Sequence, residues 1–263
     1  MTIVALTSAS GSPGVTTSAL GLAVVWPRPV LLVEADPTGG SAVLAGYFRG
    51  AAPHTLGLID LAWALREGAL AEALPGVTMP LPGSSVSLLP GVRSHAQSRS
   101  LTSLWEPLTA TLKGLEATGQ DVIVDTGRLG LQGSPEPLIY AADLTLLTIR
   151  SDLVALSGAR SWADTLRGGF AQSGGERRLG GLLVGEGRPY RGREISKALQ
   201  LPITASLSWD PRGAAVFTNG ATPPKRFDAG LPRSLRAAQT AIASAIAGNS
   251  SALDAVPAGR ASR

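Results

Sequence analysis

The 263-residue chain contains no cysteine and two histidines, His54 and His95. Without cysteine there is no disulfide scaffold, no thiolate-ligated zinc or iron–sulfur centre, and no thiol nucleophile. Two histidines are too few for a histidine metal cluster. Lysine is nearly absent too: Lys113, Lys197 and Lys225 are the only ones, so arginine carries the positive charge. No run of 18 apolar residues occurs, and no membrane-spanning helix is expected. The N-terminus lacks a positive leader, and its first apolar run breaks at Ser8. The chain therefore reads as having no secretory signal and as cytoplasmic.

What is present points to a folded α/β protein. Apolar residues make up 44% of the sequence, against wholesale disorder. The length fits one large domain or two small ones. The 23 basic and 19 acidic residues leave a net charge of +4. That balance permits nucleic acid or an anionic surface as a partner without requiring either.

Thr2 to Thr7 is a short apolar run rich in strand formers. A loop of Ser, Gly and Pro follows from Ser8 to Gly14, and a helix is predicted over Val15 to Val25, stopped by Pro27. Val30 to Val33 is the next strand. The alternation continues with helices over Leu56 to Arg66, Ala69 to Leu74, Ser98 to Ala117, Leu153 to Leu166, Arg193 to Leu199 and Leu235 to Ala247, and a short helical piece at Pro137 to Ala141. Strands are predicted at Val77 to Leu81, Val86 to Leu89, Val122 to Asp125, Leu144 to Ile149, Leu179 to Val184 and Ile203 to Leu207. Continuous apolar strands between helices imply a doubly wound, mostly parallel sheet covered on both faces. No linker divides the chain, so residues 1–247 form one domain. Gly168 to Arg178 reads as a disordered loop, and residues 248–263 as a loose tail.

The loop after the first strand is Ser10-Gly11-Ser12-Pro13-Gly14-Val15-Thr16-Thr17. Small residues let backbone amides approach phosphate oxygens, and the helix start adds positive potential. A hydroxyl in the first helical turn can ligate magnesium. Yet the lysine that a phosphate loop places before that hydroxyl is Val15, which cannot neutralise a phosphate. From the residues alone, the segment is either a degenerate nucleotide loop or a plain strand–helix turn. Its Gly-x-x-Gly spacing does not match a dinucleotide fingerprint.

Four further segments fall in register with this loop. They are Val30 to Gly40, with Glu34 and Asp36 at the end of an apolar strand; Asp121 to Gly127, with Asp125 ending another; Ala142 to Ser151; and Leu201 to Pro211, followed by Ala215, Val216 and Gly220. Together they resemble the ParA/MinD class of deviant Walker ATPases over residues 2–247. In that class the loop reads Lys-Gly-Gly-x-Gly-Lys-Thr-Thr. Here Ser10 stands at the first lysine position and Val15 at the second, and Gly185 and Glu186 stand where the family places an adenine-binding asparagine.

The resemblance implies a three-layer α/β/α fold of P-loop NTPase type. It makes Gly11, Ser12, Gly14, Thr16, Thr17 and Asp210 the nucleotide-contacting residues. Asp36 and Asp125 become the catalytic carboxylates, vestigial if ATP is not turned over. Thr16, Asp36 and Asp125 become the magnesium set if nucleotide binds. With both lysines missing, the expected cofactor state is none, or ATP and magnesium held weakly. Arg128 and Arg150 are the candidate substitute cations. The implied function is a positioning or scaffold protein with a degenerate ATP site, with the CpaE/TadZ branch suggesting pilus or secretion machinery. The alternatives are an active magnesium-dependent ATPase with a substitute cation and a non-specific DNA-binding partitioning protein.

Expected partners are proteins, including a second copy in a homodimer or an active paralogue in a heterodimer. Two arginine sets could contact DNA phosphates: Arg188, Arg191 and Arg193 with Arg177 and Arg178 nearby, and Arg226, Arg233 and Arg236. Direct membrane binding is not expected, because Leu235 to Ile246 has few bulky apolar residues. Trp63 and Trp162 read as packing residues, and Trp209 as a core residue or the cap of an apolar cleft.

Overall fold

A computed structural model describes residues 1–254. Its eight-stranded sheet has the order β3-β4-β2-β5-β1-β6-β7-β8. The strands are β1 (Ile3–Ser8), β2 (Val30–Glu34), β3 (Met79–Pro80), β4 (Val86–Leu89), β5 (Asp121–Arg128), β6 (Leu144–Arg150), β7 (Leu179–Val184) and β8 (Ile203–Leu207). All pairs are parallel except β3 with β4 at one edge. Parallel neighbours need crossovers, and helices supply them.

Alternation along each strand sorts the core into layers. Val4 and Leu6 of β1, Val30 and Leu32 of β2, and Leu144 and Leu146 of β6 face one side. There they meet α1 (Val15–Val25), α8 (Pro211–Asn219) and α9 (Leu231–Asp254). Ile3 and Ala5 of β1 and Leu31 and Val33 of β2 face the other side, under α2 (Leu58–Arg66), α3 (Leu70–Ala73) and α4 (Trp105–Lys113). On that same side, Leu147 and Ile149 of β6 and Leu183 of β7 pack beneath α6 (Leu153–Gln172) and α7 (Gly192–Leu199). The short α5 (Glu136–Ala141) spans the seam, with Leu138 in one cluster and Ile139 in the next. Burial on both faces explains why these strands read as unbroken apolar runs.

Several expectations are corrected. Gly168 to Arg178 is not a disordered loop: α6 continues to Gln172 and a 3-10 turn follows at Glu176–Arg178. Leu166 and Phe170, one helical turn apart and both buried, carry the apolar stripe past Gly168. The tail beginning at Gly248 is helical through Asp254. There the Asn249 amide donates to the Arg177 carbonyl at 2.9 Å, and the Ser250 hydroxyl bonds back to the Ile246 carbonyl. The rest of that expected tail lies outside the described residues. Ser98 to Ala117 is not one helix. A 3-10 segment (His95–Leu101) precedes α4 and another (Gly114–Thr118) follows it, leaving Pro107 in the first turn of α4, where a missing N–H costs nothing. Val77 to Leu81 yields only the two-residue β3, because Leu74–Val77 forms a 3-10 turn around Pro75.

The expected set of helices also lacked α8. Its signal was local: Asp210 caps it, Pro211 is its first residue, and Gly220 closes it in the left-handed region. A π-helical turn at Val43–Tyr47 was not expected either. Trp63 is corrected from packing residue to surface residue; it is 61% exposed, with Arg66 stacked on its ring.

Candidate functional site

β1 lies between β5 and β6, and the chain leaves β1 toward one side of the sheet and β6 toward the other. A crevice therefore opens at the carboxyl ends of these strands, where doubly wound sheets place ligands. The loop from Ala9 to Gly14 forms its floor. Gly11 and Ser12 have φ of 74° and 45°, and Gly14 has φ of 97° as it starts α1. No side chain caps that helix start. The first-turn amides thus face the crevice as a ready site for an anion.

The crevice has two lobes that share Ser12, Gly14 and Thr17. The first, of about 520 Å³, is bounded by the loop, Thr16, Asp36, Thr38, Gly127 and Arg128. Asp125 sits beneath it, between Leu6 of β1 and Glu34 of β2 in the strand register. The Thr16 hydroxyl donates to one Asp125 oxygen, and the Gly127 N–H donates to the other at 2.9 Å. Asp36 accepts the Thr38 N–H at 2.8 Å and lies against the α-carbon of Gly127. A Cβ at Gly127 would fall 2.2 Å from the Asp36 Cγ, and φ of 64° there favours glycine as well.

Burial pushes the Asp125 carboxyl up to about 6; the Thr16 and Gly127 hydrogen bonds oppose this, and the Asp36 charge adds to it. Glu34, also buried, is pushed up to about 7 by loss of solvent. The Ser41 hydroxyl and the Val43 N–H donate to Glu34 and oppose that rise. Glu34 thereby braces the start of the π-helical turn rather than facing the lobe.

Thr16 and the carboxylates of Asp36 and Asp125 lie together at this lobe. A hydroxyl and two carboxylates make an all-oxygen donor set that suits magnesium. These residues would hold the ion, which would offset the charge of a bound phosphate. They are not a metal cage by themselves: no group of three or more His, Cys, Asp or Glu side chains placed to hold a metal occurs among the described residues.

The lysine positions are filled otherwise. Val15 is buried with the core cluster of α1. Ser10 turns onto α6, where its hydroxyl lies so close to Gly158 that a Cβ on that glycine would meet it at 2.2 Å. The two candidate arginines separate. Arg128 lines the acidic lobe and has no ion-pair partner among the described residues. Arg150 lies in the other lobe.

That second lobe, of about 190 Å³, is mainly apolar, walled by Pro13, Val184, Leu207, Trp209, Pro211 and Leu231. Trp209 is 40% exposed and caps the lobe instead of joining the core. Arg150 and Arg188 stack on its ring at 4.6 and 5.4 Å from the centroid, and Arg150 Nε also reaches Asp152 at 3.5 Å. This stack was not anticipated, because it joins three segments far apart in sequence. Asp210 lies in the wall, but both oxygens are engaged: one accepts the Gly213 N–H at 2.9 Å and the other the Leu231 N–H at 3.1 Å. Glu186 binds the Gly192 N–H and the Ser206 hydroxyl, both at 2.8 Å.

The first arginine set is divided by the fold. Arg177 and Arg178 precede β7, whereas Arg188, Arg191 and Arg193 follow it, so a strand length of roughly 20 Å separates them. Arg226, Arg233 and Arg236 lie around the start of α9, with Arg236 paired to Asp228 at 3.6 Å. No helix among the described residues is long and apolar enough to cross a membrane.

No family model and no curated protein matches the chain. Solved structures do. The cell division ATPase MinD of Pyrococcus furiosus aligns with a TM-score of 0.70 at 20% identity, covering 92% of this chain and 98% of that one. The septum site-determining protein MinD of Pyrococcus horikoshii, complexed with Mg-ADP, aligns with a TM-score of 0.64 at 20% identity, covering 98% and 99%. MinD in the MinC:MinD cell division complex of Aquifex aeolicus aligns with a TM-score of 0.68 at 16% identity, covering 93% and 96%. The chain therefore has the three-layer α/β fold of the ParA/MinD-type P-loop NTPases.

Proposed function

We propose that this protein is a positioning or scaffold protein whose nucleotide-shaped cleft does not turn ATP over. The observation that carries this reading is the pair of lysine positions: Val15 is buried in the core and Ser10 is seated on α6. Phosphoryl transfer depends chiefly on positioning and fixed positive charge around the transferring group. Loss of one such donor costs about two to three decades in rate. The loop, Thr16, Asp36 and Asp125 retain the shape for a phosphate and magnesium without that charge. The fold shared with a MinD complexed with Mg-ADP supports weak nucleotide binding here, and the MinC:MinD complex supports a protein partner. The resemblance to the CpaE/TadZ branch supports a role in placing pilus or secretion machinery.

Arg128 favours a second reading, an ATPase with a substitute cation, because it borders the acidic lobe. The deciding experiment measures magnesium-dependent ATP hydrolysis by the full chain and by its Asp36→Ala and Arg128→Ala variants. The proposed function expects background rates for all three. A wild-type rate well above background that both substitutions abolish would establish the second reading instead. A DNA-binding role predicts a salt-sensitive shift of duplex DNA without ATP; equal affinity at low and high salt removes it.

A further inference from the structure

The cleft carries cations in both lobes: Arg128 borders the acidic one, and the apolar one has its own. The glycine loop has no lysine, while the apolar lobe beside it has Arg150 in its wall and Arg188 on the far side of the same tryptophan assembly. Resting on the reading of the cleft as nucleotide-shaped, we propose that the apolar lobe selects a guanine base over adenine, with Arg150 as the specificity-determining residue.

The chemistry follows from what an arginine can and cannot do. A guanidinium has five N–H donors and no acceptor. Among the described residues, Arg150 meets one carboxylate, Asp152, and does so through Nε. Its terminal nitrogens are therefore the donors left for a ligand. The guanidinium lies over the Trp209 ring, and its N–H groups radiate in its own plane. Guanine presents two acceptors, O6 and N7, side by side on one edge. Adenine presents N7 next to an amino group, a donor facing a donor. The two nearby carboxylates do not reverse this preference. Both Asp210 oxygens are committed to the starts of α8 and α9, and Glu186 is committed to Gly192 and Ser206. Neither carboxylate is free to accept the adenine amino group. The apolar walls, Pro13, Val184, Leu207 and Leu231, supply the faces against which a purine ring packs.

The experiment is calorimetric titration of the full chain with GDP and with ADP, in magnesium, alongside Arg150→Met and Arg188→Met. In the wild type, GDP is expected to bind on the order of tenfold more tightly than ADP. Arg150→Met should bring that ratio close to one by weakening GDP. Arg188→Met removes the cation outside the lobe and should keep the preference. ADP binding as well as GDP in the wild type, or an unchanged ratio in Arg150→Met, overturns the guanine assignment alone. No binding of either nucleotide at millimolar concentration overturns the nucleotide-shaped cleft and the assignment with it.

Discussion

The acidic lobe and the apolar lobe of the cleft meet at Ser12, Gly14 and Thr17 and are built by opposite means. The acidic lobe comes from strand ends. Asp125 and Asp36 extend β5 and β2, and their positions follow from strand register and one close backbone approach at Gly127. The apolar lobe combines Arg150 at the end of β6 with the loops after β7 and β8, joined by side-chain stacking on Trp209. Strand-end groups have little freedom to move. Stacked loop groups are half-exposed and held by interactions worth about 0.5–1 kcal/mol each. The contrast separates a rigid half bordered by Arg128 from an adaptable half with Arg150 in its wall and Arg188 beside it.

The largest effect should come from the rigid half. Gly127→Ala places a Cβ inside the Asp36 carboxylate and forces a positive φ on a residue with a side chain. It is expected to cost about 3 kcal/mol or more in urea unfolding. A cost below about 1 kcal/mol would show that Asp36 yields easily and would erase the contrast.

Asp125 sharpens it through pH. The folded protein holds this proton up to about 6, whereas the group's ordinary value is 3.8. Between those values the folded state binds more protons than the unfolded state, so stability falls as pH rises from about 4 to about 6. Above that window the full cost, on the order of 2–3 kcal/mol, is present. Asp125→Asn should remove this slope and raise the urea midpoint at pH 7.5. The Glu34 contribution, falling in the same direction up to about 7, should persist in that variant.

Val15→Lys tests whether charge is all that the acidic lobe lacks. Position 15 borders the lobe, and a charge-assisted bond from the ammonium to phosphate should tighten ATP on the order of tenfold or more. Unchanged ATP affinity would place the defect elsewhere in the loop. In the apolar lobe, Asp210→Ala removes caps from two helices and should cost about 1–2 kcal/mol. Trp209→Leu should cost less than about 1 kcal/mol, since both stacked arginines remain solvated.

The sheet and the acidic lobe were legible in the sequence because their signals are local. Glycine spacing, a hydroxyl one turn into a helix and carboxylates at the ends of apolar runs each lie within a few residues. Asp36, Asp125 and Thr16 lie together at the acidic lobe. The Trp209 stack was not legible, since Arg150 ends β6 while Arg188 and Trp209 lie in the separate segments after β7 and β8. Arg128 and Arg150 look equivalent in the sequence, each closing an apolar strand. Only the strand order, which puts β5 and β6 on opposite sides of β1, assigns them to different lobes. The break in Ser98 to Ala117 escaped for a related reason: Trp105 donates to the Gly133 carbonyl at 2.9 Å, a contact that fixes where α4 begins and that no local pattern announces.

Asp210 has a mechanical meaning beyond the stability of two helix starts. One carboxylate binds Gly213 of α8 with one oxygen and Leu231 at the head of α9 with the other. The two helices thus share a single pivot at the mouth of the apolar lobe. α8 cannot swing out as a small flap while that pivot holds, because α9 would have to follow, and α9 is packed along β8 and α1. Entry to the lobe is left to the Trp209 side.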